Sequence, residues 1–224
     1  MSFVSFRFFD RHTKLSEVAP HFNSGIRFTK LNQVHGADVA VLKPSMLDQE
    51  ITADAAVTTQ TDLALSVHTA DCLALLAHGD GVIGACHAGW RGMSAGIIEN
   101  WVVKMGTLGA KNEHIKVHVG PSIGICHFEV ELDVAEKIIS SSLVPVKFLE
   151  KVKKSHSDPK KVYIDLKALA RLELRRLGIW EENIEISPDC TYCDPEKYFS
   201  YLRDGQRLGK PLGRLEAVIV KSQR

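Results

Sequence analysis

The sequence predicts an α+β fold, a single domain over residues 1–224 in which mixed β-sheets are flanked by helices. Short β-branched and aliphatic runs crowd the first half, segments of helical period appear later, and the two kinds of element do not alternate strictly. Hydrophobic residues at 45% and charged residues at 25% are ordinary for a globular chain able to build its own core, which excludes a disordered or coiled-coil protein. Twenty-eight Lys and Arg against 27 Asp and Glu leave a net charge of +1, so no basic surplus points to nucleic acid or an anionic membrane. No apolar run reaches the length needed to cross a bilayer and the N-terminus has no leader pattern, so the expected location is the cytoplasm.

The elements follow in order. Asp38–Leu42, Ala55–Thr58, Leu63–Val67, Leu73–Ala77 and Val82–Cys86 have strand length and are punctuated by Gly, Asp and Thr. The last two are joined by His78-Gly-Asp-Gly81, whose Asp-Gly pair suits a tight hairpin turn. Ala88–Gly92 reads as a turn into a helix, because Ser94, Ile97, Ile98, Trp101 and Met105 then share one face. A strand at Ile115–Val119 and a helix at Val130–Ser140 come next, and the Lys-rich stretch Lys151–Lys161 reads as a solvated loop. Asp165 is placed to cap a helix whose Leu166, Leu169, Ala170, Leu174 and Leu177 line one side and which Gly178 stops. Ile184–Ile186, Tyr198–Leu202 and Leu215–Val220 read as closing strands.

Five cysteines, an odd number, read as free thiols, ligands or a nucleophile rather than a disulfide framework. Cys72 precedes one strand of the hairpin and His87 follows the other, so pairing brings them to one end; a thiolate beside an imidazole serves as a metal ligand or as a nucleophile with its base. Neighbouring strand residues face opposite ways, so Cys86 and His87 are not expected in one site, and a buried apolar role for Cys86 competes with a chemical one. Arg91 and the helix N-terminus after it are a candidate anion cradle, with a capped helix carrying a surface Arg as the alternative. His35, before Gly36, could project from a loop. The wide separations of His35, Cys72 and His87 do not match a closed structural finger and suit an open site with a position for water or substrate. Cys190-Thr-Tyr-Cys193 is half a metal site, a redox pair or packing; Gly120-Pro-Ser-Ile-Gly124 is a tight turn; Tyr198–Tyr201 with Arg203 and Asp204 is an aromatic wall or core.

Taken together, Gln33-Val-His-Gly36, Ala53-Asp-Ala55, Thr69-Ala-Asp-Cys72, His87-Ala-Gly-Trp-Arg-Gly92, Gly120-Pro-Ser-Ile-Gly124, Cys190-Thr-Tyr192 and Phe199-Ser-Tyr201 with Arg203-Asp204 make the chain resemble the laccase-domain family, formerly described as multicopper polyphenol oxidases. The resemblance spans roughly residues 30 to 220. It implies an α+β fold like that of a bacterial toxin deamidase, with one Zn²⁺ held by His35, Cys72 and His87. It further implies purine nucleoside chemistry on small-molecule partners, nucleoside and phosphate: phosphorolysis of adenosine, inosine and methylthioadenosine, and deamination of adenosine. Cys72, His87 and Arg91 are then the expected catalytic residues, the zinc activating water and Arg91 with the helix N-terminus holding phosphate. The chain lacks the Gly-Gly-Val-Ser and Ser-Leu-Asn-Leu-Gly stretches that relatives carry ahead of Gln33, so part of the substrate wall is expected to differ. Competing readings are a peptidoglycan-precursor editing hydrolase, a thiol hydrolase with Cys72 as nucleophile and His87 as base, and the older copper-dependent oxidation of phenols. The last needs several coppers, and no His-x-His triplet occurs among the ten histidines.

Overall fold

A computed structural model of the chain describes residues 2–13, 15–22, 25–46, 49–209 and 212–223. The first strands are β1 (Ser2–Phe8), β2 (Arg27–Phe28), β3 (Leu31–Asn32), β4 (Val39–Val41), β5 (Ile51–Thr52) and β6 (Ala55–Thr58), with helix α1 (Leu15–Val18) after β1. Then come β7 (Leu63–Thr69), β8 (Leu73–Gly79), β9 (Val82–Ala88), helices α2 (Trp90–Ser94) and α3 (Ile97–Thr107), and β10 (Lys116–Val119). The chain continues through β11 (Glu129–Glu131), α4 (Leu132–Ser141), α5 (Val146–Leu149), β12 (Lys153–Ser155), β13 (Lys161–Ile164), α6 (Leu166–Arg176), β14 (Ile184–Ile186) and β15 (Leu215–Gln223). The fold is mixed α+β, as expected.

Among the described residues, the strands form a six-stranded sheet in the order β14-β10-β8-β9-β6-β4, a four-stranded sheet β1-β15-β7-β2, and smaller sheets β11-β13-β12 and β3-β5. Strand β8 shows why the central sheet is apolar on both faces. Its Leu73, Leu75 and Ala77 pack under the helices with Ile97, Trp101, Leu169 and Leu174, while Ala74 and Leu76 meet Leu65, Val67 and Ile219 of the four-stranded sheet. Side chains alternate across a strand, so a run buried on both faces must be uninterrupted in hydrophobicity, which is how Leu73–Ala77 reads. Helices, six-stranded sheet and four-stranded sheet therefore form three layers.

The β8–β9 hairpin forms as predicted, with Leu73 opposite Ala88 and Ala74 opposite His87. Its turn holds Asp80 at φ 47° and Gly81 at φ 80°, the doubly positive geometry that Asp-Gly favours. The Asp165 carboxylate accepts the Ala168 N–H at 2.9 Å and caps α6.

Four expectations need correction. The helix after the hairpin is two helices, and Trp90–Gly92 already lies in the first; the chain redirects at Gly96, φ 85°, before α3. The helix expected from Val130 begins at Leu132, because Glu129–Glu131 pairs with β13. Part of the Lys-rich stretch is strand β12, which pairs with β13 and is preceded by the fully buried Val152. Tyr198–Leu202 is not a strand: Tyr201–Arg207 is π-helical, and the N–H groups of Ser200 and Leu202 go to the carboxylates of Asp204 (3.1 Å) and Asp71 (2.8 Å) instead of a neighbouring strand. Among the described residues no helix is long and apolar enough to cross a membrane.

Candidate metal centre

The hairpin delivers Cys72, just ahead of β8, and His87, near the end of β9, to the same end of the central sheet. Cys86 faces the other way and is fully buried among core residues, which resolves the choice between the two in favour of His87. His35 arrives from the loop after β3. Its ring meets that of His87 edge-on with centroids 4.8 Å apart, and the ligand atoms of His35, Cys72 and His87 all lie within 4.8 Å of one another.

Asp54 assembles this cluster. It is completely buried, yet one Oδ accepts the N–H of His35 at 2.9 Å, and the other accepts those of Val34 at 3.1 Å and Gly36 at 2.7 Å. Three successive amides turned onto one carboxylate explain how His35, a non-glycine residue, is held at φ 60°. The same carboxylate lies 2.8 Å from His87 Nδ1, and the Asp54 carbonyl accepts the His87 N–H at 2.8 Å. With Nδ1 engaged, the other ring nitrogen of His87 serves Cys72 and any ion between them, the carboxylate–histidine arrangement that orients metal-binding imidazoles. Burial opposes ionisation of Asp54, but hydrogen bonds from His87, Gly36 and Val34 outweigh it and hold the carboxyl below its ordinary range.

The two central ligands are tuned together. Burial pushes the Cys72 thiol up, but hydrogen bonds to His35 and His87 overcome it and bring it down to about 7. Burial pushes His87 down, and Asp54 and Cys72 together raise it to about 9. A thiolate against an imidazolium is the electrostatic signature of a site that exchanges its protons for a cation or uses them on a substrate.

The glycines of His87-Ala-Gly-Trp-Arg-Gly92 are explained by close approach. A Cβ at Gly89 would sit 2.9 Å from Cys72 Sγ and 3.1 Å from His35 Cδ2, and one at Gly92 would sit 2.8 Å from the Gly36 carbonyl oxygen. The short helix α2 therefore lies directly against the ligand loop. Gln33 fastens that loop from its other end: its amide donates to the His68 carbonyl and accepts the His68 N–H, both at 2.9 Å. His68, left out of the site on sequence grounds, lines the cleft through this contact without joining the three-ligand cluster.

The three residues stand at one part of a cleft of about 590 Å³ whose wall includes Trp90, Arg91, Phe128, Tyr201 and Arg214. Arg91 is exposed, its guanidinium 4.4 Å over the Trp90 ring, and among the described residues it makes no ion pair. It lies in the first turn of the five-residue α2 and not in a turn ahead of a helix, beside the N-terminal backbone N–H groups of α2, which have no side-chain cap from Gly89. Tyr201 does face the cleft, whereas Arg203 and Asp204 turn inward; Arg203 bonds Asp204 and the carbonyls of Thr191, Tyr192 and Tyr198. Asp71, beside Cys72, ties this segment to the site by accepting the Thr191 and Ser200 hydroxyls at 2.6 and 3.0 Å.

The residues present fit a resident ion. Two imidazoles and a thiolate, one imidazole fixed by a buried carboxylate and a glycine where a Cβ would collide with the thiol, form a three-ligand set that leaves a position open toward the cleft. Asp54 is the residue that the site reading omitted. Its signal was present in Ala53-Asp-Ala55, a charge set between apolar residues at the head of a buried strand.

Comparison with known proteins agrees with this architecture. The chain is 35% identical over 196 residues to a purine nucleoside phosphorylase of Rickettsia conorii, covering 85% of this chain and 77% of the relative. It is 37% identical over 182 residues to one from Xylella fastidiosa, covering 78% and 66%. The crystal structure of YlmD from Geobacillus stearothermophilus superimposes with a TM-score of 0.79 at 28% identity, over 88% of this chain and 74% of that one. Neisseria meningitidis protein NMB0706 gives 0.77 at 30% identity, over 89% and 76%. Residues 11–221 match the model of the multi-copper polyphenol oxidoreductase laccase family, and the chain belongs to that family.

Proposed function

We propose that this protein is a zinc-dependent purine nucleoside enzyme, cleaving adenosine, inosine and methylthioadenosine with phosphate and deaminating adenosine. The observation that carries the reading is the His35/Cys72/His87 cluster set in a cleft that also offers an exposed cation, without an ion pair among the described residues, and planar walls. Zinc, when bound there, supplies Lewis acidity and a water of lowered pKa. Everything else falls to the chain. Trp90, Phe128 and Tyr201 present flat faces to a purine, and Arg91, with its charge exposed, positions phosphate for attack on the ribose. Asp54 holds His87 in orientation, and Asp71 anchors the wall that carries Tyr201. In this reading residues 1–224 form one cytoplasmic domain, with the end residues Met1 and Arg224 outside the described set.

A thiol hydrolase with Cys72 as nucleophile and His87 as base is favoured by the approach of the Cys72 thiol to the His87 ring, within 4.8 Å, a contact that lowers the thiol to about 7 and helps raise the imidazole. Copper-dependent oxidation of phenols would need more imidazoles than the two this cluster supplies.

Metal-quantified protein incubated separately with adenosine, inosine and methylthioadenosine, with and without phosphate, and analysed by chromatography separates these readings. Adenine that requires phosphate supports phosphorolysis, and inosine formed without phosphate supports deamination. A protein that carries zinc at this site and leaves all three nucleosides untouched overturns the nucleoside reading and favours the editing hydrolase; a metal-free protein active on amides or esters favours the thiol hydrolase. Cys72→Ser should abolish or greatly weaken metal retention at this centre, since a hydroxyl replaces a thiolate poorly. Arg91→Ala should retain that metal while raising the phosphate concentration needed for half-maximal turnover, and an unchanged phosphate dependence would remove Arg91 from the role.

A further inference from the structure

Cys190 and Cys193 have company. The turn Gly120-Pro-Ser-Ile-Gly124 runs alongside them through a parallel bridge between Ser122 and Cys190, with the Thr191 N–H on the Ser122 carbonyl at 3.1 Å. This brings in Cys126 and His127. The Sγ atoms of Cys126 and Cys193 are 3.6 Å apart, Cys193 Sγ is 3.3 Å from His127 Nδ1, and the four ligand atoms all lie within 4.8 Å of one another. Donors at the corners of a tetrahedron around zinc, with Zn–S near 2.3 Å and Zn–N near 2.0–2.1 Å, stand roughly 3.5–3.8 Å apart. The Cys126–Cys193 distance falls in that range and the Cys193–His127 distance lies just below it.

The surroundings suit thiolates. The Gly124 N–H donates to Cys190 Sγ at 3.2 Å, and the Cys193 N–H donates to the Cys190 carbonyl at 3.1 Å, folding the two cysteines into one turn. The ammonium of Lys167, largely buried and held by the carbonyls of Ser187 (2.9 Å) and Asp189 (2.6 Å), acts electrostatically on Cys190 and Cys126. Three thiolates on a divalent cation carry one net negative charge, which this fixed positive charge offsets. His127 is set in place by stacking on Tyr192, centroids 4.0 Å apart.

We propose that Cys126, His127, Cys190 and Cys193 form a second zinc site, a closed Cys₃His set separate from the His35/Cys72/His87 centre. With four protein ligands and no open position it is structural. Its task is to staple together two segments that build the cleft wall: Ile123 and Phe128, on either side of Cys126 and His127, line the cleft, and Thr191 is bonded to Asp71 beside Cys72. Cys126 and Cys193 are both exposed, so serine at either position leaves the core untouched.

The test counts zinc by plasma mass spectrometry in the full chain purified under reducing conditions, as wild type, Cys72→Ser, Cys126→Ser and Cys193→Ser. The proposal expects each of the last two to lose one zinc per chain relative to wild type, and Cys72→Ser to keep the zinc that they lose. Cobalt substitution of Cys72→Ser should then give the intense visible and thiolate charge-transfer bands of a tetrahedral sulfur-rich site, and adding Cys193→Ser should remove them. Zinc content unchanged in both Cys126→Ser and Cys193→Ser overturns the second site. So does a Cys126–Cys193 disulfide in metal-free wild type. Because each site is read in its own variant, loss of the first centre's assignment leaves this result standing, and the reverse also holds.

Discussion

Asp54 decides more of the site than any ligand does. One buried carboxylate takes three loop amides and the His87 imidazole, so it fixes both the backbone that presents His35 and the ring that faces Cys72. Asp54→Asn keeps the shape but replaces one acceptor oxygen with an NH₂ donor, which cannot satisfy every amide and the imidazole at once. Metal affinity at this centre should fall by on the order of 10- to 100-fold, the usual cost of losing such a partner. Competition with a chromophoric chelator measures it, and an affinity equal to wild type would show that Asp54 only packs. Cys72 and His87 were legible as a pair because hairpin register is written in the Asp80-Gly81 turn and its flanking apolar runs. His35 was legible only as a residue able to project from a loop, and Asp54 only as a charge between apolar residues, since each reaches the site across a fold contact; the complete ligand set came from the family resemblance.

At the scale of elements, the short helix α2 works as a lid pressed on the ligand loop. The periodicity from Ser94 to Met105 was correctly helical, but it concealed the break at Gly96 and the earlier start at Trp90. Packing imposed both, because α2 must cross the Gly36 carbonyl at a distance that excludes a Cβ at Gly92. Gly89→Ala should therefore leave the fold intact and displace Cys72 Sγ or the His35 ring, reducing metal occupancy after dialysis against a weak chelator. Full occupancy in that variant would show that the loop yields at no cost. The misread strand at Tyr198–Leu202 has a similar origin. Its aromatic alternation is strand-like, yet its backbone donors are claimed by Asp71 and Asp204, and Asp71 is remote in sequence from the segment it organises.

Over the whole molecule, burial raises the carboxyls of both Glu173 and Glu216, and Glu173 is the more deeply buried of the two. Glu173 on α6 is 7% exposed, and burial raises its carboxyl to about 7, with Arg176 partly opposing and Glu99 adding to the shift. The unfolded chain releases this proton near 4.5 and the folded chain holds it until about 7, so the folded state binds more protons across that interval. The stability Glu173 contributes is thus fully present below about pH 4.5 and is lost as pH rises through about 7. Glu173→Gln, which cannot ionise, should flatten this decline in a thermal-unfolding series across that window. Parallel profiles for the two proteins would mean that Glu173 does not ionise against burial.

By itself the sequence determined the α+β class, the hairpin and its register, the capped helix α6 and the meeting of Cys72 with His87. These depend on short-range rules: side-chain period, turn chemistry and an Asp at a helix start. Only the tertiary structure decided that Asp54 joins His35 to His87, that Gly89 clears space for Cys72 and His35 and Gly92 for the ligand loop, and that Cys126 and His127 close on Cys190 and Cys193. Each of those contacts joins segments far apart in the chain, brought together by burial of the central sheet on both faces, and no local periodicity encodes which distant loops that burial will press together.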